Sequence, residues 1–389
     1  MKTIYYAIQN IIRGKDSTIV KVVSLSLGLF LSIVLFARVA MELSYDTFYQ
    51  GHKQLHFVQT AWDFGKGGNP GIENSLYPTG PTIMQHFPEQ VESATVINSW
   101  WPIELKHGER IYNGKDFLAA DSLFFQTMGI PLLEGNAKDL GMRNVIFMSQ
   151  SFAREVFGNE NPVGKTLLWN NKNQAIVKGI YADIPENNTF RGKAVLSMAS
   201  LDFRKDWFSG GSVSSVVRLK EGADMNFINE RINPILANYI PMEEYYTKLA
   251  QAKGIKVSLT PMDGYHLSFS KVRTMLYILS LLGFVLLISA AFNYALISIS
   301  SLAHRAKAIG VHKCSGAENG SIFAMFFWET SFVVFISVVI SVFLILNLNE
   351  QIEEVMEVST KSLFSWNNLW APLLAIVILF VIGCILPGK

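Results

Sequence analysis

"TMLYILSLLGFVLLISAAFNYALISISSLA" (Thr274–Ala303) contains no Asp, Glu, Lys, Arg or His. As a helix it is about 45 Å long, against a bilayer hydrocarbon core of about 30 Å. The stretch reads as a membrane-spanning helix that continues as helix beyond the lipid, and it decides the class of fold. Three other runs qualify as spans. Residues 22–41 include "VVSLSLGLFLSIVLFARVA" (Val22–Ala40), interrupted only by Arg38, close enough to the end to snorkel into the head groups. With 273–303 as the second span, the third is 322–348, with Glu329 near its start. The fourth is 369–386, with Pro372 in its first turn, where the missing N–H costs nothing.

Half of the 389 residues are hydrophobic and 16% are charged, where roughly 25% is usual, and the uncharged stretches sit at the two ends of the chain. A net charge of +2 with no Lys/Arg-rich run gives no reason to expect nucleic acid. Cys314 and Cys384 both fall in the C-terminal membrane part and make no disulfide framework.

Lys and Arg in the short flanks orient the spans. Lys2, Arg13, Lys15 and Lys21 precede the first; Arg305, Lys307 and Lys313 lie in 304–321; Lys389 follows the fourth. Residues 349–368 instead carry Glu350, Glu353, Glu354 and Glu357 against Lys361. Both termini are therefore expected in the cytoplasm, with 42–272 and 349–368 outside. A cleaved signal peptide fits poorly, because the apolar run exceeds the usual length and Arg38 spoils a small-residue cleavage site. In residues 1–21, Ile4, Tyr5, Ile8, Ile11 and Ile12 share a helical face, which suits an interfacial helix or one packed on the spans.

Within the insert, strand-like and helix-like runs alternate. "GNENPVGKT" (Gly158–Thr166) ends like a phosphate-binding loop, but its two glycines are one residue too far apart. "SQSFAREVFG" before it reads as a short helix closed by Gly158, so the order is helix, loop, strand. A phosphate loop runs from strand to helix, with the helix N-terminus facing the anion. Nucleotide binding here is not expected. "HKQLH" sets His52 and His56 at metal-ligand spacing, but Lys53 stands where a zinc protease needs Glu. "SFSK" gives Ser268 and Lys271 without the other motifs of penicillin-binding enzymes, and reads as the junction into the second span. Aromatics such as Trp100 and Trp101 suit a hydrophobic groove or, more commonly, ordinary core.

Four stretches of the insert, "ELSYDTFYQGHKQLHFV" (Glu42–Val58), "AADSLFFQTMGIPLLEGN" (Ala119–Asn136), "VIFMSQSFAREVFGNENPVGKTL" (Val145–Leu167) and "VKGIYADIPENNTF" (Val177–Phe190), resemble successive motifs of the extracytoplasmic core domain of MacB-like ABC transporter permeases. "NYALISISSLAHRAKAIGVHKCSGAENGSIFAMFFWET" (Asn293–Thr330) resembles the FtsX-like permease motif. The resemblance implies an α-helical membrane protein with four transmembrane helices and a two-lobed α+β extracytoplasmic domain. It further implies a permease that pairs with a second copy or a paralogue around a cytoplasmic ATPase dimer. Such permeases work by mechanotransmission, passing ATP-driven motion to the external domain.

"HRAKAIGVHKCSGA" (His304–Ala317) is by resemblance the ATPase-docking segment. His304, Arg305, Lys307, Ile309, Gly310, Val311, Lys313, Gly316 and Ala317 are its candidate residues: the cations for polar contacts, Ile309 and Val311 for apolar ones, the glycines for a bend or helix stop. From the residues alone, charges that merely set topology explain the segment equally well. Cys314 and Ser315 depart from the family's usual apolar residue followed by Gly-Ala. Glu329 is expected to snorkel or pair with a nearby Lys or Arg, and Asn293 to hydrogen-bond across helices.

The expectation is a permease subunit in a bacterial inner membrane, moving an amphiphilic, peptide or lipoprotein substrate. It has no cofactor or catalytic residue of its own, since ATP and Mg would be bound by the partner ATPase. The alternative is an FtsX-like regulator or receptor whose external domain binds an extracytoplasmic partner protein such as a cell-wall hydrolase. The chain stops at "ILPGK", directly after the fourth span, leaving open a longer protein with a second four-span half.

Overall fold

The computed structural model describes residues 15–63, 74–99, 102–113, 116–208, 213–240, 254–314 and 319–388, with 15–17, 301–314, 319–323, 325–326 and 385–388 described by their backbone alone. The first span lies in α1 (Lys15–Leu43), followed by β1 (Leu55–Asp63), β2 (Asn74–Ser75), α2 (Thr79–His86), β3 (Val91–Asn98), β4 (Glu104–His107), β5 (Arg110–Asn113) and β6 (Phe117–Ala120). Next come α3 (Phe124–Met128), β7 (Leu132–Gly135), β8 (Val145–Ser149), α4 (Gln150–Phe157), β9 (Thr166–Trp169), β10 (Asn173–Tyr181) and β11 (Ala194–Ser197). They are followed by β12 (Val213–Leu219), α5 (Met225–Leu236), β13 (Gly254–Pro261) and α6 (Tyr265–Ser268). The chain closes with α7 (Ser270–Cys314), α8 (Asn319–Asn347), α9 (Asn349–Met356), α10 (Thr360–Leu363) and α11 (Trp370–Gly388). Two compact units result, Met1–Ser44 with Leu267–Lys389, and Tyr45–His266.

Tyr45–His266 is built on one 13-stranded mixed sheet ordered β13-β1-β12-β3-β6-β11-β8-β10-β9-β4-β5, with β2 on β12 and β7 on β10. Strand alternation sends neighbours to opposite faces. On one face Val58, Val217, Ile228 and Ile232 form a core beneath α2 and α5, while Ile146, Met148, Phe152 and Val177 form another around α4. The two lobes are thus halves of a continuous sheet. Phe57, Val216 and Phe147 point to the other face, joining Phe124, Phe125 and Tyr181 beside α3. Burial of each such side chain stabilises by about 1.5–3 kcal/mol.

Ser149 caps α4 by accepting from Phe152 N–H, and Gly158 ends it at φ 63°. The chain then turns into β9, with Gly164 N–H donating to Val177 O at 2.8 Å and Lys165 paired with Glu160. The order is helix, loop, strand, so α4 presents its C-terminus to this loop.

At the β13 edge, Asn229 and Asn233 of α5 take the place of a further strand. Asn229 accepts from Leu259 N–H and donates to Leu259 O; Asn233 does the same with Val257. An open strand edge invites pairing with another chain, and two amides one helical turn apart satisfy it instead.

In the other unit, among the described residues, four helices are long and apolar enough to cross a membrane, over Thr18–Leu43, Ser270–Ser300, Phe327–Asn347 and Trp366–Cys384. The first begins before Val22, which places Lys21 inside the bundle. α1 packs against α7, α8 and α11. Its crossing with α7 is close: a Cβ on Gly28 would lie 2.5 Å from Ala290 Cβ, and Ser32 Oγ donates to Gly283 O at 3.2 Å. Against α8, Ser337 Oγ donates to Val22 O and Ser341 Oγ to Ser26 O. Both partners advance by one helical turn together, so α1 and α8 run parallel. Arg38 pairs with Glu42 one turn on, at 2.6 Å. Between α8 and α11, Glu353 accepts from the N–H and hydroxyl of Thr360 and so holds α9 against α10.

Candidate functional site

α7 is one helix of 45 residues, and it runs through Gly310 to Cys314 without a helix stop at that glycine. It continues past the apolar window ending at Ser300. His304, Arg305, Lys307, Ile309, Gly310, Val311 and Lys313 all lie on this extension. Gly316 and Ala317 lie outside the described residues, as do Trp100, Trp101 and the expected interfacial helix before Lys15.

Just before the extension, the four spans meet in a polar knot. Lys21 Nζ of α1 lies 3.1 Å from Glu329 Oε1 of α8, both buried, and 5.6 Å from the centre of the Tyr294 ring of α7. The hydroxyls of Tyr294 and Thr330 are 2.8 Å apart. Gly383 of α11 closes the knot, since a Cβ there would meet Thr330 at 3.2 Å and the Tyr294 ring at 3.4 Å. Glu329 therefore pairs with a Lys, and with one that sequence reading assigns to the flank. Asn293 does not bridge helices. It lies on the exposed face of α7, and no hydrogen bond across helices is seen from it among the described residues. A helix turns about 100° per residue, so it is Tyr294, one position on, that faces inward.

In the sheet unit, the segment after α1 is held by two devices that only the fold assembles. Asp46, at φ 61°, accepts from Thr189 N–H and Thr189 Oγ1, both at 2.7 Å, while its own N–H donates to Asn187 O. Arg218 of β12, 6% exposed, donates from Nε to Thr127 O, from one terminal nitrogen to Gln50 O and from the other to Gln54 Oε1. Gly51 and Gly129, both at positive φ, leave room for the guanidinium; a Cβ on either would lie under 3 Å from it. The first, second and fourth of the insert's motifs are thereby tied together. Arg218 had no local pattern to mark it, and Asp46 reads in sequence as a turn former.

His52 lies 3.5 Å from Asp263, while His56 is buried with Nδ1 2.9 Å from Gln54 O, and burial holds its pKa below 6.5. Among the described residues no group of three or more His, Cys, Asp or Glu side chains is placed to hold a metal ion. Ser268 ends α6 and Lys271 lies in the first turn of α7, at the junction the sequence suggests. Asp121 is a partly buried carboxylate used structurally, accepting from Thr95 Oγ1, Val96 N–H and Leu123 N–H; desolvation raises its pKa against those hydrogen bonds.

Residues 280–389 match the family described as FtsX-like permease C-terminal. Over 259 residues the chain is 23% identical to the macrolide export ATP-binding/permease protein MacB of Aggregatibacter actinomycetemcomitans, covering 64% of this chain and 38% of that protein. The chain thus spans well under half the length of that relative. Among solved structures, a permease-protein domain from Porphyromonas gingivalis is similar at 21% identity and TM-score 0.47, over 55% of this chain and 92% of that one. The periplasmic region of MacB from Actinobacillus actinomycetemcomitans is similar at 17% identity and TM-score 0.36, over 51% and 87%. With four apolar helices among the described residues, the FtsX-like match over three of them and the MacB relative, the chain is similar to the MacB-like and FtsX-like ABC transporter permeases.

Proposed function

We propose that the chain is a permease subunit of the mechanotransmission type, coupling ATP hydrolysis in a separate cytoplasmic ATPase dimer to motion of its own external domain. The observation that carries this reading is α7, a single 45-residue helix that leaves the membrane span and bears the basic segment on its continuation. A continuous helix passes displacement along its axis without a hinge. In this reading Arg305, Lys307 and Lys313 make ionic contacts to the ATPase. Ile309 and Val311 fill its apolar groove, and His304, Gly310, Gly316 and Ala317 complete the docking segment.

The excess of Lys and Arg on one side of the spans supports cytoplasmic termini and an extracytoplasmic Tyr45–His266 unit in a bacterial inner membrane. A second copy or a paralogue completes the permease. ATP and Mg belong to the partner, and the substrate is an amphiphile, a peptide or a lipoprotein. The test is affinity purification in mild detergent with mass spectrometry, run beside Arg305→Glu/Lys307→Glu. Recovery of a soluble ATPase with the original and its loss with the variant supports the reading. Recovery of an extracytoplasmic protein and no ATPase in either sample overturns it in favour of a membrane-anchored regulator.

A further inference from the structure

Lys21 and Glu329 bury their charges in the membrane bundle, with side chains 1% and 5% exposed. Two apolar side chains would hold α1 against α8 at least as well, because the attraction of a buried pair is offset by the desolvation of both ions. Ionisable residues at such a position mark a working part by default. What the pair adds over apolar packing is direction. Hydrophobic contact lets helices slide or rotate, whereas a charged hydrogen bond at 3.1 Å holds one register.

The surroundings extend that constraint to all four spans. Lys21 lies over the Tyr294 ring of α7, Tyr294 shares a hydrogen bond with Thr330, next to Glu329 on α8, and Gly383 of α11 packs on Thr330 and the Tyr294 ring. Farther along, Ser337 and Ser341 fix α8 to the backbone of α1. α7 goes on to Cys314, and α1 leads into the segment that Asp46 and Arg218 clamp to the sheet.

We infer that the Lys21–Glu329 pair, with Tyr294 and Thr330, is the joint that passes displacement of the α7 extension to α1 and α8. Lys21, Glu329 and Tyr294 are positioning residues for coupling, remote from the ATPase itself. This rests on the permease reading above.

The test uses the full chain with its co-purified ATPase in lipid nanodiscs, and follows three readouts: melting temperature, ATPase retained and rate of ATP hydrolysis. Glu329→Gln and Lys21→Met alone are expected to melt lower, since each takes one charge out of a buried ion pair and leaves the other buried. The double variant Lys21→Met/Glu329→Leu is expected to melt near the original and keep its ATPase, yet hydrolyse ATP about tenfold more slowly. The exchange Lys21→Glu/Glu329→Lys is expected to recover most of the rate. A double variant that hydrolyses ATP at the original rate overturns the joint and leaves the permease reading standing. So does an exchange variant that melts normally but stays slow. If the unaltered chain retains no ATPase, the permease reading falls and the joint with it.

Discussion

Replacing Asn229 and Asn233 by Ala opens the β13 edge, and the cost follows from the bonds lost. Asn229 meets Leu259 at 2.6 and 3.0 Å, and Asn233 meets Val257 at 2.8 and 2.9 Å. At about 1 kcal/mol net per hydrogen bond each substitution loses about 2 kcal/mol, and the better helix propensity of Ala returns about 0.6. The pair should therefore cost roughly 3 kcal/mol, a fall of about 6–12 °C in the melting temperature of a unit this size. The consequence is more than a number, because β13 then presents unpaired backbone N–H and C=O groups. Thermal unfolding of the whole protein in detergent, followed with light scattering, should show the Tyr45–His266 transition move down and aggregation begin earlier. A double variant that melts within about 2 °C of the original and scatters no more light would refute the edge-sealing account.

Arg218→Met removes three hydrogen bonds from a charged donor, at about 1.5 kcal/mol each, and should destabilise by about 4.5 kcal/mol; Arg218→Lys should lose about half as much. Urea unfolding would measure both, and equal stabilities would show that the guanidinium geometry is immaterial. His56 has its pKa lowered by burial, so its contribution is present above the unfolded value of 6.5 and is lost as pH falls through the lower folded value. Melting temperature should therefore decline on acidification below 6.5, with a shallower slope in His56→Gln; parallel slopes would remove His56 as a cause.

The four spans, the long second helix and the helix-loop-strand order at Gly158–Thr166 were legible in the sequence because they depend on local quantities: length, apolarity and turn residues. The MacB-like motifs were legible too, each as a short run. Their mutual attachment was not. Asp46 meets Thr189 and Arg218 meets Gln50 and Thr127 across long chain separations, and hydrogen bonds of that kind leave no periodic trace. The polar amides of Asn229 and Asn233 on α5 gave no sign that a strand edge lay opposite. Counting Lys21 among the flanking cations was reasonable on spacing, yet its partner is 308 positions away. Asn293 and Tyr294 differ by one step on the helix, and only the packing of α1, α8 and α11 around α7 decides which of them faces inward. Local chemistry determined which segments enter the membrane and which form strands; the pairing of distant charges and amides waited on the tertiary structure, because partners are selected by proximity in space and the chain order does not encode it.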